Sequence, residues 1–415
     1  VKIGVTNAVL SNTGDAAIFE AIGDALAAAL PGESLTVIAF DSNAAVTSKL
    51  YPNWKIFQQL TVSPPREPAR LRNVLQRVRH ALVRRVIDRN PLLMRALNLP
   101  LVRSSRFSTS LRELRTCEVI ISSGGTYLVD HYNFSPRVLE FRLAKSYGKR
   151  IVLWTQSLGP FTRERSEVAI RQASELIDEV YFRDERSAAS WNRLGMKELP
   201  REVVSDSVFA LAVPEAPGHP AREQGAKRAI LSVREWSRGV DGELDTTAGY
   251  EAMMRAGANR LSSLGFSVSA LSTCQGVPSY SYDDSEEAAR IFAGTPVDVN
   301  TGFHRPLELV DELLASELVV STRMHLAILA LLAKRPVIAI AYEFKTLELF
   351  RSIGLGDFVV KIEDASPEWL ESRIEMLAAD PSLAVLPDDA LLELRRSASV
   401  PAESFARSLA GGTRP

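Results

Sequence analysis

The stretch Leu318-Val319-Val320-Ser321-Thr322-Arg323-Met324-His325-Leu326-Ala327-Ile328-Leu329-Ala330-Leu331-Leu332-Ala333 decides the fold class. A short apolar run ends in a polar Ser-Thr-Arg segment, and an apolar stretch of helical length follows at once. That order predicts a buried strand, a loop and a buried helix, with Arg323 and His325 at the carboxyl edge of a sheet. Open α/β sheets bind ligands at that edge. An arginine fork grips phosphate or carboxylate, and imidazole delivers a proton near neutral pH. The pair therefore predicts an anionic substrate and acid catalysis. The competing reading of His325 is a buried structural histidine, although two cations beside a buried helix call for an anion.

The same alternation recurs along the chain. Strands are predicted at 2–6, 35–40, 118–122, 151–155 and 179–182, then at 229–233, 267–271, 318–321 and 337–341. Helical spacing at 15–30 and 136–147 separates some of them, which implies parallel sheets with helices on both faces. At 415 residues, two domains are expected. The stretch 214–227, with Pro214, Pro217, Gly218, Pro220 and Gly225, reads as a linker. It separates a Rossmann-like domain at 1–213 from a second at 228–375, with a helical tail at 376–415. The expected architecture is α/β, two such domains facing across a cleft.

Hydrophobic content of 46% with 24% charged residues is that of a folded soluble chain. Cys117 and Cys274 lie far apart and neither has a CxxC partner, so neither a disulfide framework nor a zinc site is expected. The longest apolar candidate, 326–342, is broken by Lys334, Arg335 and Pro336. Val1-Lys2-Ile3-Gly4-Val5 reads as a strand and not as a signal peptide. A cytoplasmic location fits these features.

A formal net charge of -1 hides one strongly basic region. An insertion at about 64–115 carries thirteen arginines between Arg66 and Arg115, against Glu67, Asp88 and Glu113. Leu71, Val74, Leu75, Val78, Leu82 and Val86 fall at helical spacing within it. One reading is an insertion helix packed on its own domain with a solvated arginine face. The other is peripheral contact with an anionic membrane or an acidic acceptor. Nucleic acid is disfavoured, because aromatic residues for base stacking are nearly absent there.

Other predicted strand ends carry polar groups. Asn12-Thr13-Gly14-Asp15 follows the first strand, where a glycine turn into a helix offers backbone N–H groups to an anion; Asp15 is either a functional carboxylate or only a helix cap. Ser122-Ser123-Gly124-Gly125-Thr126-Tyr127 is either a close-approach turn for a ligand or a plain strand–turn–helix junction. Gln156-Ser157-Leu158-Gly159-Pro160-Phe161 follows a strand with one amide side chain. In Arg183-Asp184-Glu185-Arg186-Ser187, Arg183 meets an anion or the charges form surface pairs. Asp206 ends the first-half series, and Asp283-Asp284 reads as part of a solvated loop. A Walker loop, a GxSxG elbow, an HExxH pair and a GxGxxG turn are all missing from the sequence.

In order, these segments resemble the polysaccharide pyruvyltransferase (ketal pyruvate transferase) family. Tyr342-Glu343-Phe344-Lys345 completes the series, which spans roughly residues 4–346. The resemblance implies a glycosyltransferase-B-like fold. It also implies transfer of a pyruvyl group from phosphoenolpyruvate to two hydroxyls of a sugar in a surface polysaccharide or its lipid-linked precursor. By that resemblance His325 is the general acid, and Arg323 and Arg183 hold the donor's phosphate and carboxylate. Asp15 is the candidate base, and Gly124, Gly125, Thr126, Gln156 and Lys345 complete the substrate-binding set. No cofactor or metal is expected, phosphoenolpyruvate being a co-substrate. The alternatives are a nucleotide-sugar glycosyltransferase of the same fold, with Glu343 as its ribose carboxylate, and a non-catalytic scaffold at a membrane assembly.

Overall fold

The computed structural model describes residues 1–60, 106–130, 134–213, 227–236, 247–277, 280 and 282–410. Most of the basic insertion and nearly all of the 214–227 linker lie outside the described residues; Arg106–Thr116, at the end of the insertion, is a helix.

Two sheets organise the chain. The first contains β1 (Lys2–Ala8), β2 (Thr36–Asp41), β3 (Lys55–Gln58), β4 (Val119–Ser122), β5 (Gly125–Leu128), β6 (Arg150–Leu158), β7 (Glu179–Phe182) and β8 (Arg201–Val203). Its order is β3-β2-β1-β4-β6-β7-β8, with β5 paired to β6. The second contains β9 (Lys227–Ser232), β10 (Phe266–Ala270), β11 (Val297–Val299), β12 (Leu318–Ser321), β13 (Val337–Ala341) and β14 (Val359–Lys361), in the order β11-β10-β9-β12-β13-β14. Every pairing is parallel. Both sheets are doubly wound and Rossmann-like. Strand order reverses between β1 and β4 in one and between β9 and β12 in the other, and such a switch point opens a crevice at the carboxyl ends.

The central strands are legible because parallel strands covered on both faces become continuous apolar runs. Leu318–Ser321 and Val337–Ala341 are buried at every position. The helix Met324–Leu332 that follows β12 is buried at every residue but His325. The edge strands β3, β8 and β11 are short, and partly exposed along their length, so their composition carries no such signal.

The chain divides into two compact units: Val1–Leu10, Ile18–Ser207 and Ser397–Pro415 form one, and Ser11–Ala17 with Val208–Arg396 form the other. These differ from a contiguous division at 214–227 in a boundary after Ser207 and in two exchanged segments. The helix Asp388–Ala410 changes allegiance near Ser397, whose hydroxyl accepts from Ser205 N at 2.9 Å. Farther along, Ser408 Oγ accepts from Arg150 Nη1 at 2.9 Å. Near the other end of the chain, Thr13 N donates to the Thr273 carbonyl at 2.8 Å and Thr13 Oγ1 to the His304 carbonyl at 2.7 Å. Hydrogen bonds of this kind depend on tertiary partners, which a contiguous reading of sequence does not see. Among the described residues no helix is long and apolar enough to cross a membrane.

Candidate functional site

The sequence-derived candidates fall into two groups, one in each unit. In the second unit, Arg323 sits at the N-terminus of the helix Met324–Leu332, directly after β12. Its guanidinium forks onto Asp284, with Nε to Oδ2 at 2.8 Å and Nη2 to Oδ1 at 2.5 Å. Asp284 is therefore not in a solvated loop. It is buried at the start of the helix Asp284–Ile291, and Ser272 Oγ donates to it as well. The run Thr273–Asp284 reads as a polar loop because its anchor, Arg323, lies 39 residues away in sequence. Burial alone would depress the guanidinium; its charged neighbours, Asp284 bonded to it among them, hold it well above its ordinary value.

His325 packs against the start of the helix Thr13–Ala29. A Cβ on Gly14 would lie 2.5 Å from His325 Nδ1 and 2.7 Å from His325 Cβ, so only glycine admits the imidazole there. The half-buried His325 and the loop Asn12-Thr13-Gly14-Asp15 thus form one constellation. Asn12 does the capping, since its Oδ1 accepts from Gly14 N at 2.8 Å. Asp15, one residue farther on, is buried. Burial raises the Cys274 thiol to about 11, and among the charges acting on it Arg323 lowers that value while Asp284 and Asp15 raise it. Lys345 is paired with Glu343, the carboxylate that a nucleotide-sugar reading would use, at 2.7 Å.

In the first unit, Arg183 follows β7 and is almost fully buried against Asp206, Nη1 to Oδ2 at 2.6 Å. Its Nε donates to Ser157 Oγ at 2.7 Å, and Ser157 in turn donates to Asp184 at 2.9 Å. Asp184 is no surface partner: it caps the helix Glu185–Arg193 through Ser187 N. Thr126 Oγ1 lies 3.5 Å from Arg183 Nη2. Gln156 Nε2 donates to the Gly125 carbonyl at 2.6 Å, tying β5 to β6. A Cβ on Gly124 would meet the Thr155 carbonyl at 2.7 Å, so that glycine is required by the approach of one backbone to another. The Gly-Gly segment opens a strand, β5, where a strand–turn–helix junction had been one of the two readings.

The buried Glu140 belongs to the same region. It accepts from Thr6 Oγ1 at 2.5 Å and from Leu60 N at 3.0 Å. Burial raises its pKa, and these hydrogen bonds only partly offset the shift. A raised folded-state pKa makes the proton a stabilising ligand: the contribution is fully present below the unfolded value, about 4.3, and is lost as pH rises through the folded one. Glu140→Gln should therefore gain on the wild type as pH rises. Urea midpoints of both proteins across the acid-to-neutral range check this, and a constant difference would contradict it.

The comparison that decides the family concerns this set of loops. Residues 12–343, from the Asn12 turn to the Glu343 carboxylate, match the sequence profile of the family described as polysaccharide pyruvyl transferase. The chain belongs to that family. The amylovoran biosynthesis protein AmsJ of Erwinia amylovora is 27% identical to this pyruvyl transferase family member over 266 residues, 60% of this chain and 63% of AmsJ. The matched stretch thus spans less than two thirds of that relative. Among solved structures, UDP-GlcNAc 2-epimerase from Neisseria meningitidis bound to UDP-GlcNAc is similar with a TM-score of 0.58 and 11% identity, over 98% of this chain and 99% of that one. Sucrose-phosphate synthase from Thermosynechococcus elongatus gives a TM-score of 0.56 and 14% identity, over 99% of each chain. At these identities the likeness is one of fold, with two Rossmann-like domains of the glycosyltransferase-B kind.

Sequence reasoning missed two residues of this pyruvyl transferase family member's second unit. Asp284 is one. The other is Arg234, two residues past β9, whose guanidinium carbon lies 3.8 Å from the centroid of the Tyr342 ring. The signal for Arg234 was present: like Arg183 and Arg323, it is an arginine directly after an apolar strand. Gly14 supplies a test of the His325 placement. Gly14→Ala should displace the imidazole and lower turnover by up to about 10²-fold, the cost of roughly 1 Å of misplacement, with a loss of about 1–3 kcal/mol of stability from overpacking. Unchanged turnover in a folded variant would show that the contact does not position His325.

Proposed function

We propose that this chain transfers the pyruvyl group of phosphoenolpyruvate to two hydroxyls of one sugar, in a surface polysaccharide or its lipid-linked precursor. The observation that carries this reading is the coincidence of the family match over 12–343 with a half-buried imidazole set between the end of β12 and Gly14. Phosphoenolpyruvate is an enol ester whose C2 becomes electrophilic once its methylene is protonated. His325, as imidazolium, gives that proton to C3 and is the general acid. One sugar hydroxyl then attacks C2 and releases its proton. The C2–O bond to phosphate breaks, and the neighbouring hydroxyl closes the ring. Of the two hydroxyl protons released, one replaces that lost by His325 and the other leaves with phosphate.

Asp15 is the proposed base or hydroxyl-orienting group. Arg183, Arg323, Lys345, Gly124, Gly125, Thr126 and Gln156 are the proposed binding set. Arg323 meets this task with Nη1, because Nε and Nη2 are held by Asp284. Oxidation levels balance without a redox partner, so neither nicotinamide nor flavin enters the scheme. The proposed place of action is the cytoplasm; peripheral membrane contact rests on the 66–115 segment, most of it outside the described residues.

Phosphate release tests the reading. The full chain is incubated with phosphoenolpyruvate, with and without a glycan or lipid-linked precursor stripped of its ketals by mild acid. Release that requires the acceptor is the expected result. Turnover of a nucleotide sugar on the same acceptor, with none of phosphoenolpyruvate, would replace this reading by the glycosyltransferase one.

A further inference from the structure

We propose that Arg234, set over the Tyr342 ring beside the β9–β12 switch point, is the residue that grips the phosphate group of the donor. The inference rests on the pyruvyl-transfer reading for the donor's identity, but its geometry stands apart from it. Among the described residues, the carboxyl edge of the second sheet carries three cations close to the switch: Arg234 after β9, Arg323 after β12 and Lys345 after β13. Two of them are neutralised from within, Arg323 by Asp284 and Lys345 by Glu343. Arg234 has no carboxylate partner among the described residues. Its Nε reaches only the Glu235 carbonyl, at 3.3 Å, and its Nη donors meet no acceptor among the described residues.

The arginine is nevertheless fixed in place. Tyr342 stacks against the guanidinium, and Trp236 packs on Tyr342 with ring centroids 6.4 Å apart. Stacking on a ring leaves the N–H edge of a guanidinium open for in-plane donation. The backbone is pinned as well. Arg234 N donates to Tyr250 Oη at 3.3 Å, Tyr250 Oη lies 2.9 Å from Thr322 Oγ1, and Thr322 Oγ1 donates to the Ser232 carbonyl at 2.9 Å. Burial raises the Tyr250 hydroxyl to about 12, so it stays protonated and the chain of bonds persists at neutral pH. One phenol thus ties the residue bearing Arg234 to the residue next to Arg323. A half-buried fork with no internal anion among the described residues, at the switch point of a parallel sheet, fits a phosphate monoester, which offers several in-plane acceptors to one guanidinium.

The test uses the full chain, with phosphoenolpyruvate, inorganic phosphate and pyruvate as separate probes in calorimetric titrations. Arg234→Gln should bind phosphoenolpyruvate and phosphate about ten- to a hundredfold more weakly, as expected for losing charge-assisted hydrogen bonds, with pyruvate binding unchanged. Arg234→Lys keeps the charge but loses the fork and should fall between the two. Equal thermal midpoints for the three proteins establish that folding is intact. Wild-type affinity for phosphate and phosphoenolpyruvate in Arg234→Gln would overturn the assignment and leave the pyruvyl-transfer reading standing. Arg234-dependent binding of phosphate, with no binding of phosphoenolpyruvate by the wild type, would uphold the anion site and remove its proposed donor. Selective loss of pyruvate binding would place the carboxylate there and overturn the phosphate assignment.

Discussion

His325→Ala is expected to reduce phosphate release from phosphoenolpyruvate by about 10²–10⁴-fold, the usual worth of a positioned general acid. The loss should appear in kcat, with the KM for phosphoenolpyruvate changed much less, because the imidazole acts on the methylene carbon in the transition state and does not carry the donor's anionic groups. The substitution removes a half-buried side chain from the first turn of the helix Met324–Leu332, whose entry is held by other bonds. Thr322 is tied to Ser232, and Arg323 is tied to Asp284. The thermal midpoint should therefore stay close to that of the wild type. A folded variant with unchanged kcat would remove His325 from the mechanism and leave Asp15 as the remaining candidate for proton transfer.

Arg183→Ala is expected to destabilise the first unit by about 3–5 kcal/mol, because it breaks a buried ion pair by removing the guanidinium bonded to the buried Asp206 carboxylate. Both side chains are only 2% exposed, so solvent cannot take the place of the missing partner. The same arginine also loses Ser157, which links it to Asp184 and the cap of the helix Glu185–Arg193. Replacing the pair together, by Arg183→Met and Asp206→Leu, should recover much of the loss, since an apolar pair of similar volume carries no desolvation cost. Urea unfolding followed by tryptophan fluorescence reads the effect, Trp154 and Trp191 being fully buried in that unit. A midpoint unchanged in Arg183→Ala would show that the guanidinium is not part of the framework and would favour a purely ligand-facing role.

Much of the fold was legible because parallel sheets write themselves as apolar runs. Leu318–Ser321 and Val337–Ala341 were recognisable at their observed bounds for that reason. β3 and β11 were not, since a short and partly exposed edge strand lacks both the run and a clear alternation. β5 was hidden by Gly124 and Gly125, which signal a turn in sequence but serve a close backbone approach in the fold.

The candidate site was legible where a charged residue directly follows a strand, as at Arg183 and Arg323. The internal pairings of those arginines were not. Asp284 pairs with Arg323 across 39 positions and Asp206 with Arg183 across 23, and local composition contains no trace of either pairing. The consequence is chemical. Two arginines assigned to an external anion each hold an internal one, while Arg234, which attracted no notice, presents an uncommitted fork among the described residues. The contact between Gly14 and His325 was equally invisible, being a tertiary approach between residues more than three hundred positions apart.

The fate of C2 of the donor distinguishes pyruvyl transfer from simple hydrolysis. The full chain is incubated with phosphoenolpyruvate carrying a carbon-13 label at C2 and with the ketal-stripped glycan acceptor, and the glycan is then examined by NMR. The label is expected to move from an enol carbon to a quaternary ketal carbon on the glycan, with one phosphate released for each label transferred. Release of phosphate with the label recovered as free pyruvate, and none on the glycan, would contradict it.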